Sequence, residues 1–200
     1  MNTTALKGFG YVLGAIVVLS LLSGCGTTSG IKRPGGADPA ALTQYDRIIV
    51  KDFADRVTPR TQPQYQDQTR QAMQDVTRTF SDMIADQVRR TGVFQEVARE
   101  GAASPGTIAV TGDITQFERG RGTLRTFIGH GAGRSEFDAV VELRDAESNK
   151  LLGTVIVDKN SWPLPGAVAG TQTADSFMEA AAKKIANELQ RAKTGLPTGR

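Results

Sequence analysis

The chain has 200 residues, 39% of them apolar, with 24 basic against 21 acidic side chains and a formal net charge of +3. So near a balance excludes a dedicated nucleic-acid binder, whose charge is normally one-sided. A single cysteine and a single histidine exclude a disulfide framework and a clustered zinc site.

The chain opens with Lys7 ahead of an uncharged run from Gly8 to Leu22, followed by small residues. That run is shorter than the ~20 apolar residues needed to cross a bilayer, and its order is that of a secretory signal. Residues 1–24 are therefore expected to be an address rather than part of the fold. Lys7 is their only charge, so the remainder keeps 23 of the 24 basic residues against all 21 acidic ones. Leu22-Ser23-Gly24-Cys25 resembles the bacterial lipobox, in which the cysteine receives a diacylglyceryl thioether and becomes the first residue of the mature chain. The resemblance implies lipidation at Cys25 and a membrane partner reached through that anchor. Gly26, standing where an aspartate would favour the inner membrane, implies a periplasm-facing place on the outer membrane in a Gram-negative host.

Residues 26–43, "GTTSGIKRPGGADPAALT", are rich in glycine, proline and threonine. With Cys25 they are expected to form a flexible tether, 25–43, that holds the domain on the order of 20–25 Å from the bilayer. One globular domain, 44–193, and a disordered tail, 194–200, follow.

"YDRIIVKDFAD", Tyr45 to Asp55, carries the β-branched run of a buried first strand. From about Gln64 to Thr91 the apolar positions Tyr65, Met73, Val76, Phe80, Met83, Ile84 and Val88 recur at helical spacing, and Gly92 stops the pattern. The outer face of that helix alternates in sign. Asp67 with Arg70, Asp75 with Arg78, and Asp86 with Arg89 and Arg90 stand three or four apart, as solvated pairs do.

A short strand is expected within Val93 to Glu100, then a turn over "GAASPG". "TIAVTGDITQFERG" and "SEFDAVVELRD" alternate as half-buried strands, with Phe137, Ala139, Val141 and Leu143 opposite Glu136, Asp138, Glu142 and Arg144. "DAESNK" turns the chain into "LLGTVIVDKN". A last helix begins near Thr173, its N-cap, with Asp175 in the first turn. Its buried stripe is Phe177, Met178, Ala181, Ala182, Ile185 and Leu189. The fold class is α+β: a two-layer α/β sandwich in the order β-α-β-β-β-β-α. Its sheet is mixed or mostly antiparallel, with both long helices on one face.

The segment Arg119 to Glu136, "RGRGTLRTFIGHGAGRSE", gathers four arginines, five glycines and the only histidine. A phosphate cradle needs its glycines between a strand and a helix, and here they open into a strand. A Ser-His-Asp triad would have to use His130, with no glycine-flanked nucleophile near it. No catalytic or metal-binding set and no cofactor is expected. The carboxylates Asp52 and Asp55 could do acid and base work in a cleft, but their position at a strand end reads more readily as turn chemistry. Two readings of the segment remain: a strand connection, and a contact surface for an anionic partner through Arg119, Arg121, Arg125 and Arg134. His130 and Trp162, the latter in a proline-flanked loop, are candidates for a loop surface.

The lipobox, "YDRIIVKDFA", the long first helix, "GHGAGRSEFDAVVELRDAESNKLLG" and the alanine-rich last helix together resemble a bacterial lipoprotein family described as domain of unknown function 4410. The likeness spans most of residues 45–192. Asn149 stands where such hairpins often carry glycine, which bears on the turn type. The resemblance implies fold and address, not activity. The expected role is thus that of a non-enzymatic, membrane-anchored envelope protein with a periplasmic-protein or cell-wall partner and no nucleic acid. The alternative is a periplasmic small-molecule or glycan binder, with a hydrolase ranked below it, using the glycine-rich loop.

Overall fold

The computed structural model describes residues 26–33, 42–57, 66–119, 135–161 and 172–199. Its strands are β1 (Gly26–Thr28), β2 (Arg47–Val50), β3 (Ala54–Asp55), β4 (Glu96–Ala98), β5 (Thr107–Glu118), β6 (Glu136–Asp145) and β7 (Leu151–Asn160). The helices are α1 (Gln66–Thr91) and α2 (Ala174–Lys193), with a 3-10 turn at Leu42–Gln44. The sheet runs β1-β7-β6-β5-β2-β4, with β3 also paired to β5. It is mixed: β2 lies parallel to β4 and β5, while β5, β6, β7 and β1 are antiparallel neighbours. The α+β class and its two-helix layer are as the periodicity predicts.

Alternation decides which face is covered. Along β6 the inward residues Phe137, Ala139, Val141 and Leu143 are buried, and their neighbours remain half-open. The helices pack on that inward face and against each other. Phe80 of α1 is fully buried at the centre, edge-on to Phe53 at 5.1 Å and to Phe137 at 4.8 Å between ring centroids. The α1 stripe of Met73, Val76, Phe80, Ile84 and Val88 is buried as its spacing predicts, and Gly92 ends the helix at φ 67°.

The predicted first strand is interrupted. Residues 51–53 separate β2 from β3, although both lie along β5. At the break Phe53 turns into the core, where Gly112 of β5 makes room for it. A Cβ on Gly112 would stand 2.6 Å from the Phe53 ring and 2.1 Å from the Val140 carbonyl oxygen.

Helix α2 begins with a capping box. Thr173 Oγ1 accepts from the Ser176 amide at 3.1 Å, and Ser176 Oγ accepts from the Thr173 amide at 3.0 Å. At its other end Lys193 Nζ donates to the Thr43 and Tyr45 carbonyls and to Asp46, all within 2.9 Å. A cation in the last helical turn also complements the helix dipole.

Two expectations are corrected at the ends of the chain. The segment read as a flexible tether is, over residues 26–33, part of the fold: β1 pairs with β7, Lys32 bridges Thr154, and Ile31 is buried. Leu42, at the tether's far end, is buried as well. The tail read as disordered is docked over residues 194–199. The Gly199 amide donates to the fully buried Glu188 carboxylate at 2.7 Å, while Lys184 pairs with the same group at 2.8 Å. Gly30 and Gly199 touch so closely that a Cβ on Gly30 would lie 2.2 Å from the Gly199 Cα. Composition reports low apolar content in both segments; the β7 edge supplies the partner for the first, and Glu188 with Gly30 for the second.

The β6–β7 turn is held by Asp145, whose carboxylate accepts from the Ser148 amide, the Ser148 hydroxyl, the Glu147 amide and the Tyr45 hydroxyl. Asn149 takes the left-handed conformation at φ 57°, a role open to asparagine as well as glycine. The Ser148 bonds, followed by that from Tyr45, hold the Asp145 carboxyl below the usual carboxylate range. A depressed folded value stabilises the protein above the unfolded value of about 4 and is lost as the pH falls through the folded one. Asp145→Asn should therefore flatten the acid limb of urea midpoint against pH. An unchanged acid slope would sink this account.

Candidate binding cleft

The described surface holds a cleft of about 510 Å³ at the carboxyl ends of β2 and β4. Such ends are where mixed and parallel sheets open, because the chain leaves them in different directions. From β2 it continues along β5 into β3; from β4 it passes to β5 on the other side of β2. Three elements line the opening, each with one cation and one carboxylate: Lys51 and Asp52 after β2, Arg78 and Asp82 on α1, Arg99 and Glu100 after β4. Ile49 and Gly101 complete it.

Arg99 organises the cleft. Its Nε donates to Asp82 at 2.7 Å, and its two terminal nitrogens donate to Asp52 and to the Val50 carbonyl. The guanidinium thus ties the end of β2 to α1 and to the residue after β4, with its side chain only 21% exposed. Its planar fork suits three acceptors in different directions, which an ammonium would hold less rigidly.

This corrects two sequence readings. Asp52 does not act in turn chemistry; Asp55 does, accepting from the Val57 amide at 2.9 Å, while Asp52 answers Arg99. No ion pair joins Asp75 and Arg78, although the expected pairs Asp67 with Arg70 and Asp86 with Arg89 form. Arg78 is left at the cleft without an ion-pair partner among the described residues, as is Lys51. Sequence reasoning missed Arg99 altogether, since its partners lie 17 and 47 residues away.

Of the residues singled out in the sequence, Arg119 is described and exposed at the end of β5. Its carbonyl accepts from the Ser135 hydroxyl at 3.0 Å, closing the stem of the arginine-rich segment. Cys25, Arg121, Arg125, Arg134, His130 and Trp162 lie outside the described residues. The stems of the two loops do meet. The Ser135 amide donates to Ser161 Oγ at 3.0 Å and the Ser161 amide to the Ser135 carbonyl at 2.9 Å. Gly26 pairs with Lys159 at the same end of the sheet, and Lys159 Nζ reaches the Gly26 carbonyl at 3.3 Å. Burial holds the Lys159 ammonium below the usual lysine range. Across the neighbouring strands Asp138 faces Asp158; burial, then the Asp158 charge, pushes its carboxyl above the usual range. Among the described residues no group of three or more His, Cys, Asp or Glu side chains is placed to hold a metal ion. None of their helices is long and apolar enough to cross a membrane.

The fold defines a class, an α+β domain whose mixed sheet opens a charged cleft at its parallel strand ends. The chain belongs to the family described as "Domain of unknown function (DUF4410)", whose model matches residues 48–165. The match takes in the cleft and leaves β1 and α2 outside it. No curated protein matches the chain in sequence. Among solved structures it is similar to the PelC dodecamer from Paraburkholderia phytofirmans, with 13% identity, 82% of this chain and 97% of that one covered, and a TM-score of 0.49. It is also similar to a protein from Xanthomonas campestris in the DUF330 family, with 11% identity, coverage of 85% and 95%, and a TM-score of 0.46.

Proposed function

We propose that this protein is a non-enzymatic lipoprotein of the bacterial envelope, anchored through Cys25 to the outer membrane and facing the periplasm. In this reading it is an interaction or accessory domain for a periplasmic protein or the cell wall. The observation that carries it is the position of β1. The lipobox cysteine is followed at once by Gly26, already paired with Lys159, and a Cβ on Gly26 would lie 2.2 Å from the Asp158 carbonyl oxygen. An acyl anchor on Cys25 then leaves no leash, and the end of the sheet that begins at Gly26 is held close to the bilayer. Several acyl chains, each methylene contributing about 0.8 kcal/mol on burial, give stable attachment. Arg119, at the same end, begins the segment carrying Arg121, Arg125 and Arg134, the residues we assign to contact with an anionic envelope partner. The non-enzymatic reading is supported by a composition with one histidine and with its one cysteine committed to the anchor.

Metabolic labelling with a fatty acid tests the anchor. The wild-type chain should take up label and fractionate with outer membranes, whereas Cys25→Ala should take up none and keep an unchanged melting temperature. Label entering the mutant would overturn the assignment.

A further inference from the structure

We propose that the cleft beside Arg99 binds a small zwitterion of the amino-acid or short-peptide class. The proposal is independent of the anchor, for it rests on three charged pairs that the fold brings together from separate elements. The volume of about 510 Å³ lies within the ~300–1,000 Å³ usual for small-ligand sites.

The distribution of charge selects the ligand class. The cleft carries three cations and three carboxylates, so a purely anionic or purely cationic molecule meets as much repulsion as attraction. Arg99 commits its nitrogens to Asp82, Asp52 and the Val50 carbonyl, and takes one oxygen, Oδ1, from each aspartate. It acts as a positioning residue that holds the two carboxylates at the cleft and is not itself the recognition group. Lys51 and Arg78 are both exposed, and neither takes an ion-pair partner among the described residues. Arg78 forgoes Asp75, which stands three positions away on its own helix. These two cations can receive a ligand carboxylate through charge-assisted bonds, and the second oxygens of Asp52 and Asp82 can receive its ammonium. Arg78 and Asp82 stand one turn apart on α1 and both line the cleft, so a cation and a carboxylate are presented side by side from one helix. No aromatic side chain lines the cleft, so a stacked sugar or nucleobase finds no platform among these residues.

Isothermal titration of the full chain, purified in detergent, with alanine, dialanine and trialanine tests the proposal. The N-acetylated and carboxy-amidated dialanines serve as controls. At least one unblocked compound should give a saturable isotherm. Each blocked dialanine should bind about tenfold more weakly than dialanine if a charge-assisted contact is lost. Lys51→Gln and Arg78→Gln should each weaken binding of the unblocked ligand by about tenfold without moving the ligand-free melting temperature, since neither side chain takes an ion-pair partner among the described residues. No saturable binding of any unblocked compound up to about 10 mM, a range weaker than millimolar affinity, would overturn it. So would equal binding of the blocked compounds, or unchanged binding by the Lys51→Gln, Arg78→Gln double variant.

Discussion

Phe80→Ala should cost about 3–5 kcal/mol, the range for removing a large aromatic from a closed core. The ring is fully buried and makes edge contacts with Phe53 from the break after β2 and Phe137 from β6. It thus joins α1 to both the parallel and antiparallel parts of the sheet. Truncation removes two edge-to-face contacts and leaves a cavity whose walls belong to three different elements and cannot collapse together. Thermal unfolding should show a fall in Tm on the order of 10 °C, and Phe80→Leu should recover part of it. A loss below about 1 kcal/mol would mean that the site repacks and that the three-ring cluster is not the centre of the core.

Gly112→Val should be nearly as damaging, for the opposite reason. The glycine is no turn residue; it lies in the middle of β5, where its missing side chain is what admits Phe53. A valine there would drive its Cβ into the Val140 carbonyl oxygen as well as the Phe53 ring, at 2.1 and 2.6 Å before relaxation. Overpacking typically costs about 1–3 kcal/mol and more where backbone must move, and here the nearest atom is backbone. The second consequence concerns the cleft. If Phe53 is expelled, the break at residues 51–53 moves with it, and Lys51 and Asp52 lose their places beside Arg99. The variant should then be destabilised and also lose whatever the cleft binds, and Phe53→Leu should rescue little of it, because the clash with the Val140 carbonyl remains. A Gly112→Val chain with unchanged Tm would show that β5 can bow away, and would remove the proposed coupling between the core and the cleft.

Much of the architecture was legible because it rests on local periodicity. The α1 stripe from Met73 to Val88, the stop at Gly92, the Thr173 cap and the alternation of β6 each depend on residues within a turn or two of one another. The cleft was not legible for the converse reason. Asp52 read as turn chemistry at a strand end and Arg78 as half of a surface pair, while Lys51 and Arg99 fell inside expected strands and drew no notice. Asp75 even offered Arg78 a partner at the right spacing. Only folding brings residues 52, 82 and 99 around one guanidinium.

By itself, the sequence determined the two long helices, the strands β4 to β7, and the inward faces of the helices, β5 and β6. These follow from side-chain chemistry read at periods of two and 3.6 residues. Tertiary structure alone decided that residues 26–33 and 194–199 belong to the fold. Neither segment has the apolar content to order itself, and each is held by a partner distant in sequence: the β7 edge for the first, and for the second Ile31, whose carbonyl accepts from Thr198, and Gly30, which lies against Gly199. It also decided that six charges from three elements converge at one cleft, since an ion pair spanning tens of residues has no local signature until the chain has paid the entropy of closing the loop between its partners.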